Sequence, residues 1–263
     1  MGAVSFSIDI ELVRLLKREL SLEVFVETGT FEGEAVARVL PFFAEIHTIE
    51  LSEKYHAQAE VRFRKEPAVH VYHGDSTREL GSLRPALDHR AVLYWLDAHW
   101  CVADDSAGEA AQCPLLGELP AIGTLNERSV VLIDDARLFL SPPPDPHEAP
   151  DWPRLQQVVE GLQRLSSRHE LMVFNDVILY FPQTLVTRIV EHARARSIDV
   201  LASMTRVTAL ESELALLTTA LDERLVAIND LTRTAEERLA IIEELTAALK
   251  ATESRSPTLA PDA

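Results

Sequence analysis

Apolar and polar positions along the chain fall into three regimes. Over residues 8–20 the apolar side chains Ile8, Leu12, Leu15, Leu16 and Leu20 recur at helical spacing and predict an amphipathic lead-in helix. Short apolar runs then alternate with helical patterns, and five of these runs end close to a carboxylate: Glu27, Glu50, Asp75, Asp97 and Asp134. Strands that alternate with helices and run the same way bring their carboxyl ends to one edge of a sheet, so the five acids are expected to line one crevice. After a proline-rich loop at 141–146 the pattern predicts a helix over about 152–166. Two β-rich runs follow, 171–174 and 177–181, separated by Asn175 and Asp176. That connection is too short for a parallel crossover and predicts an antiparallel hairpin at the sheet edge. The globular domain is expected to occupy residues 1–182.

The third regime, residues 183–253, lacks glycine and proline and carries a heptad pattern. One seam position holds Val207, Leu214, Leu221, Ile228, Ala235, Ile242 and Leu249; its companion holds Leu210, Leu217, Arg224, Leu231, Arg238 and Leu245. At about 1.5 Å per residue such a helix spans roughly 65 Å, too long to fold back inside a compact domain. The reading is a coiled coil that makes the chain a homo-oligomer through residues 207–249. Docking to a partner's helix, or packing on the chain's own domain, are the alternatives. Residues 254–263 read as a disordered tail.

Charge and composition narrow the partners. Acids outnumber bases 42 to 25, a formal net charge of −17, which disfavours a nucleic acid because phosphate backbones are held mainly by Lys and Arg. No window approaches the roughly 20 apolar residues of a membrane span. Residues 1–10 show neither a basic n-region nor an apolar h-region and predict no signal peptide. The two cysteines, Cys101 and Cys113, make no disulfide framework, and the expected setting is the reducing cytoplasm.

The chemistry concentrates at the strand ends. Glu27, Thr28, Gly29, Thr30, Phe31, Glu32 and Gly33 form an acid followed by a turn with two glycines four apart, opening onto a helix. Glycines permit a tight turn and close backbone approach to a ligand. Glu50 follows 23 residues after Glu27, where a nucleotide-binding fold places its ribose-binding carboxylate. A pyrophosphate calls for a third close-packed glycine and a helix start free of acids, whereas this loop carries Glu32 and Glu34. A cationic ligand suits such a loop better. The bland alternative is that Glu27 and Glu50 are solvated residues at strand ends.

In this order of motifs the chain resembles the class I S-adenosylmethionine-dependent methyltransferases over roughly residues 8–182. The resemblance implies an α/β, Rossmann-like, seven-stranded, mostly parallel sheet with an antiparallel last strand, followed here by a long C-terminal helical coiled coil. It implies S-adenosylmethionine as cofactor, held by Glu27, Thr28, Gly29, Thr30, Gly33, the ribose acid Glu50, and Asp75 and Ser76 at the adenine. A second constellation follows the next two strands: Asp97 and His99, then Asp134 and Asp135. It resembles the metal-dependent O-methyltransferases, which makes Asp97, Asp134 and Asp135 candidate magnesium ligands, with Asp135 where many members have an amide. Neighbouring carboxylates repel, and a hard cation relieves them and lowers a bound hydroxyl's pKa. His99 is then the candidate base, a hydrogen bond to the substrate being its alternative, and Asp97 is the second candidate catalytic residue. Alternatively, Asp134 and Asp135 cap the following turn, with Asp135 paired to Arg137, and Asp97 meets the donor's amine. His99, Cys101 and Cys113 have irregular spacing and no evident fourth ligand, which disfavours zinc.

The segment 102–109 is small and polar and is expected to form a mobile flap over the acceptor. The functional expectation is O-methylation of a small-molecule or saccharide hydroxyl. A catalytically inactive donor-binding scaffold on a coiled-coil stalk is the competing reading, and tethering of an active enzyme to a biosynthetic assembly joins the two.

Overall fold

The computed structural model describes residues 8–101, 108 and 111–253; the expected tail and nearly all of the expected flap lie outside them. The chain divides into two units, one running to Ser197 and the other from Ile198.

In the first unit, helix α1 (Ile10–Leu20) starts where the Asp9 side chain accepts a hydrogen bond from the Glu11 amide at 2.8 Å, a helix N-cap. Strand and helix then alternate: β1 (Val24–Thr28), α2 (Glu34–Val39), β2 (Glu45–Glu50), α3 (Glu53–Phe63), β3 (Val69–His73), α4 (Ser76–Leu87), β4 (Val92–Leu96), α5 (Leu115–Ile122) and β5 (Val130–Ile133). After α6 (Arg137–Leu140) and α7 (Leu155–Leu165) come β6 (His169–Phe174), β7 (Val177–Pro182) and α8 (Val186–Arg196). The strands form one sheet in the order β3-β2-β1-β4-β5-β7-β6. The five strands β1–β5 pair in parallel, and β7 runs antiparallel to both its neighbours. This is the expected Rossmann-like sheet, with the last strand reversed. The Asn175-Asp176 turn has both residues at positive φ, 46° and 69°, the conformation whose twist suits a two-residue hairpin. That hairpin slots β7 between β5 and β6, so β6 forms the edge.

Alternation along the strands builds a core on each face. In β4, Leu93 and Trp95 point into one cluster with Leu16, Val36 and Phe181; Val92, Tyr94 and Leu96 point into another with Leu119, Leu162 and Ile178. Central strands buried on both faces read as unbroken apolar runs, which is why β1, β4 and β5 were legible as strands. Helix α8 also belongs here. Ile189 is 1% exposed in the first cluster, and His192 Nε2 lies 2.9 Å from Asp9 Oδ2 at the start of α1. The first unit therefore extends past the expected end at Pro182, because α8 covers apolar surface that the sheet would otherwise expose.

The second unit is helix α9 (Val200–Glu253), 54 residues without interruption. Its heptad side chains, from Val207 to Leu249, stand exposed. No helix among the described residues is long and apolar enough to cross a membrane.

Candidate active site

Strand order reverses between β1 and β4, and in open α/β sheets ligands bind in the crevice at that point, outside the carboxyl ends of the strands. Backbone hydrogen bonds lace those ends together. Gly74 donates to Glu50, Gly29 to Ile49, Asp97 to Thr28 and Asp134 to Leu96, all at 2.9–3.1 Å. The result is a cavity of about 530 Å³ whose wall includes Gly29, Glu50, Asp75, Ser76, Asp97, His99, Asp134 and Asp135. Of the residues expected to hold the donor, Glu27, Thr28, Thr30 and Gly33 stand behind this wall.

The glycine loop explains that division. Gly29 has φ +81°, and a β-carbon there would lie 2.2 Å from the Asp97 carbonyl oxygen, so glycine is what lets the first loop close on the fourth strand end. Gly33, at φ +77°, begins α2 instead, where a β-carbon would strike the Phe63 ring at 2.7 Å. Thr30 and Thr48 share a hydroxyl contact at 2.6 Å, and the Thr48 hydroxyl donates to Glu27 at 2.5 Å.

Glu27 and Glu50 are 1% and 7% exposed, so neither is a solvated strand end. Burial pushes the Glu27 carboxyl up to about 8, opposed by the Thr48 hydrogen bond and reinforced by Glu50. Glu50 accepts from the Phe31 amide at 2.8 Å and the Ser52 amide at 2.7 Å, so it pins the glycine loop to the start of α3. Each carboxylate oxygen keeps a lone pair for a ligand hydroxyl. Phe31 packs on Tyr55 with ring centroids 4.4 Å apart at the same rim. Asp75 caps α4 by accepting from the Arg78 amide at 3.0 Å.

The acidic half of the cavity is organised around His99. Its Nε2 lies 3.2 Å from Asp97 Oδ1 and 3.3 Å from Asp135 Oδ2, although neither ring nitrogen makes a well-formed hydrogen bond. Burial lowers the pKa of His99 against the pull of Asp135. Asp97 keeps 31% of its side chain exposed, into the cavity, yet dense surrounding protein holds its carboxyl well above the usual range; Asp134, Asp135 and Glu27 add to this. Asp134 is raised to about 7, first by burial and then by Asp135. Trp152 backs the histidine, with ring centroids 5.4 Å apart. Trp100 packs edge-on against His147, off the cavity wall.

The three candidate magnesium ligands reach one cavity, but they do not form a ligand set. Asp135 Oδ1 lies 2.6 Å from Arg137 Nη1, its other oxygen faces His99, and Asp134 Oδ1 accepts the Asp135 amide at 2.8 Å. Arg137 also pairs with Asp176 in the hairpin turn. Among the described residues no group of three or more His, Cys, Asp or Glu side chains is arranged to hold a metal ion. The turn-capping alternative for Asp134 and Asp135 describes their contacts better, and Asp135 adopts φ +55°, a left-handed conformation rare outside glycine.

Sequence reasoning missed Glu118. It sits on α5, 1% exposed, facing Ser76 and Thr28 behind the cavity wall, and burial raises it to about 7. Neither its Oε1 nor the Thr28 hydroxyl makes a well-formed hydrogen bond. The available signal was a single acid in the otherwise apolar run Leu115–Ile122, which offers a carboxylate no polar face.

No protein-family model matches the chain, and no curated protein matches it. Solved structures do resemble it. A Klebsiella pneumoniae protein provisionally classed as an O-methyltransferase aligns with TM-score 0.45 and 13% identity, over 66% of this chain and 79% of its own. The O-methyltransferase TomG of Streptomyces achromogenes, in complex with S-adenosylmethionine, gives 0.42 and 18%, over 66% and 78%. An O-methyltransferase of Bacillus cereus, in complex with S-adenosylhomocysteine, gives 0.42 and 12%, over 65% and 80%. These likenesses are loose, and the functional reading rests on the cavity.

Proposed function

We propose that the chain is an S-adenosylmethionine-dependent methyltransferase acting on a hydroxyl of a small-molecule or saccharide acceptor. The observation that carries this reading is the shared cavity of Gly29, Glu50 and the Asp97–His99 pair. Glu50 takes the ribose hydroxyls, Asp75 and Ser76 meet the adenine, and the Gly29 turn admits the amino-acid tail against the backbone. The cationic sulfonium lies toward Asp97 and Asp134; burial favours the neutral form of both carboxyls, and Asp134, raised to about 7, sheds part of its charge near neutral pH, which spares the site full mutual repulsion.

Burial favours a neutral His99, the form able to accept a proton. The acceptor oxygen attacks the methyl carbon in line, the carbon–sulfur bond breaks to leave a thioether, and the hydroxyl proton passes to His99. Asp97 and Asp135 stabilise the imidazolium. Alignment of the two substrates supplies most of the acceleration. This route is written without magnesium, with Asp135 paired to Arg137. The described wall includes no Lys or Arg, and the sequence from 91 to 127 contains none, so the site suits a neutral or cationic acceptor over a phosphorylated or carboxylated one.

α9 serves as the oligomerisation seam that joins the enzymatic heads in a homo-oligomer, with tethering to a biosynthetic assembly a further use of the same helix. Calorimetric titration with S-adenosylmethionine tests the core of the proposal, and no heat at millimolar donor removes it. Turnover is expected to survive chelation by EDTA; loss of activity restored by magnesium would overturn the metal-free route.

A further inference from the structure

The side chains within the α9 seam point to the direction in which two copies pair: antiparallel. This rests on the homo-oligomer reading above and sharpens it. Two arginines, Arg224 and Arg238, interrupt the seam, both at the same one of its two alternating positions, and Ala235 leaves a gap at the other. In a parallel, in-register pair like positions face each other. Arg224 then meets Arg224, Arg238 meets Arg238, and Ala235 meets Ala235. That gives two buried like-charge layers and one void, each destabilising.

In an antiparallel pair the two alternating positions face each other instead. Arginines confined to one of them never share a layer; in the register below the two copies' Arg224 occupy adjacent layers, about 6 Å apart along the axis, where each stem can turn outward to water. Setting Val207 against the second copy's Leu245 pairs every seam position except Leu249, which faces Ser203. Leu217 then fills the space beside Ala235, Arg224 packs its stem on Ile228, and Arg238 packs on Leu214, within a turn of Glu211 and Glu213. Arginine stems lie readily along apolar surface while the guanidinium reaches water or an acid. The arrangement is isologous, each contact occurring twice about a two-fold axis level with Val226, so one sequence suffices for both partners. Opposed helix dipoles favour it too. A foreign helix would need its own matching gaps, whereas this seam complements itself.

Double electron–electron resonance on a nitroxide at Ser212→Cys decides the matter, in full-length protein with Cys101 and Cys113 both replaced by serine. Antiparallel pairing sets the two labels roughly 42 Å apart along the axis, and a shift of one heptad gives roughly 32 or 52 Å according to its direction. A parallel pair leaves only the lateral separation, below about 25 Å. The longer distance is expected, and the short one overturns the orientation while leaving the oligomer intact. A full-length chain that is monomeric by light scattering overturns the oligomer reading itself. A genetically encoded spin label at 212 in the otherwise unaltered chain gives the same reading if the cysteine-free chain does not fold.

Discussion

Replacing Glu50 by glutamine preserves its size while removing the charge and one of two acceptors. In the parent, one carboxylate oxygen accepts from Ser52 at 2.7 Å and the other from Phe31 at 2.8 Å, in a site 7% exposed. A glutamine must turn its amide nitrogen toward one of those backbone donors, so one charge-assisted bond is lost, about 1.5–3 kcal/mol of loop stability. The same group holds the ribose in the proposed donor complex. Losing one equivalent bond there weakens donor binding by roughly 10- to 150-fold. Calorimetry with S-adenosylhomocysteine reads the affinity without turnover, and urea unfolding of the same samples reads the loop term. A variant that loses stability yet binds within about threefold of the parent would show that Glu50 only pins the loop, and the ribose assignment would fail.

Gly29→Ala brings a β-carbon against the Asp97 backbone at positive φ and is expected to abolish donor binding, whereas Gly81→Ala, with open space at its β-carbon, is expected to stabilise α4 by about 0.5–1 kcal/mol in urea unfolding. Donor binding by the first variant at parental affinity would contradict the close approach of the β1 and β4 ends. Burial raises Glu118 to about 7 in the folded state, above the ordinary 4.5 of a glutamate, so the folded state binds the extra proton and stability falls as pH rises from about 4.5 to 7. Glu118→Gln removes that slope. Its stability relative to the parent should grow between pH 5 and pH 8 by up to about 3 kcal/mol, and an equal difference at both pH values would rule out a buried acid there. Truncation after Ser197 is expected to leave a folded, donor-binding unit, while truncation after Pro182 strips the buried Leu185 and Ile189 and costs about 3–6 kcal/mol by thermal or urea unfolding. Equal stability of the two fragments would show that α8 is dispensable.

The sequence by itself determined the elements whose signals are local. Unbroken apolar runs mark strands buried on both faces, Asn175-Asp176 supports only a tight hairpin, and the spacing of Gly29, Gly33 and Glu50 places a ligand loop between two strand ends. Parallel order then follows from chain connectivity, and with it the gathering of Glu50, Asp75, Asp97 and Asp134 around one cavity. Tertiary structure decided what depends on partners distant in the chain. Sequence left Asp135 open between a metal ligand and Arg137's counter-ion; the fold shows the pairing with Arg137, shared with Asp176 of the hairpin turn. Glu118 carries one local mark, the apolar run around it, but how dry it is depends on α4 and β1, which set Ser76 and Thr28 against it. The end of the domain lay beyond Pro182 because Ile189 finds its apolar surroundings on the sheet. Backbone periodicity is written residue by residue; ion pairing and desolvation exist only once separate segments have met.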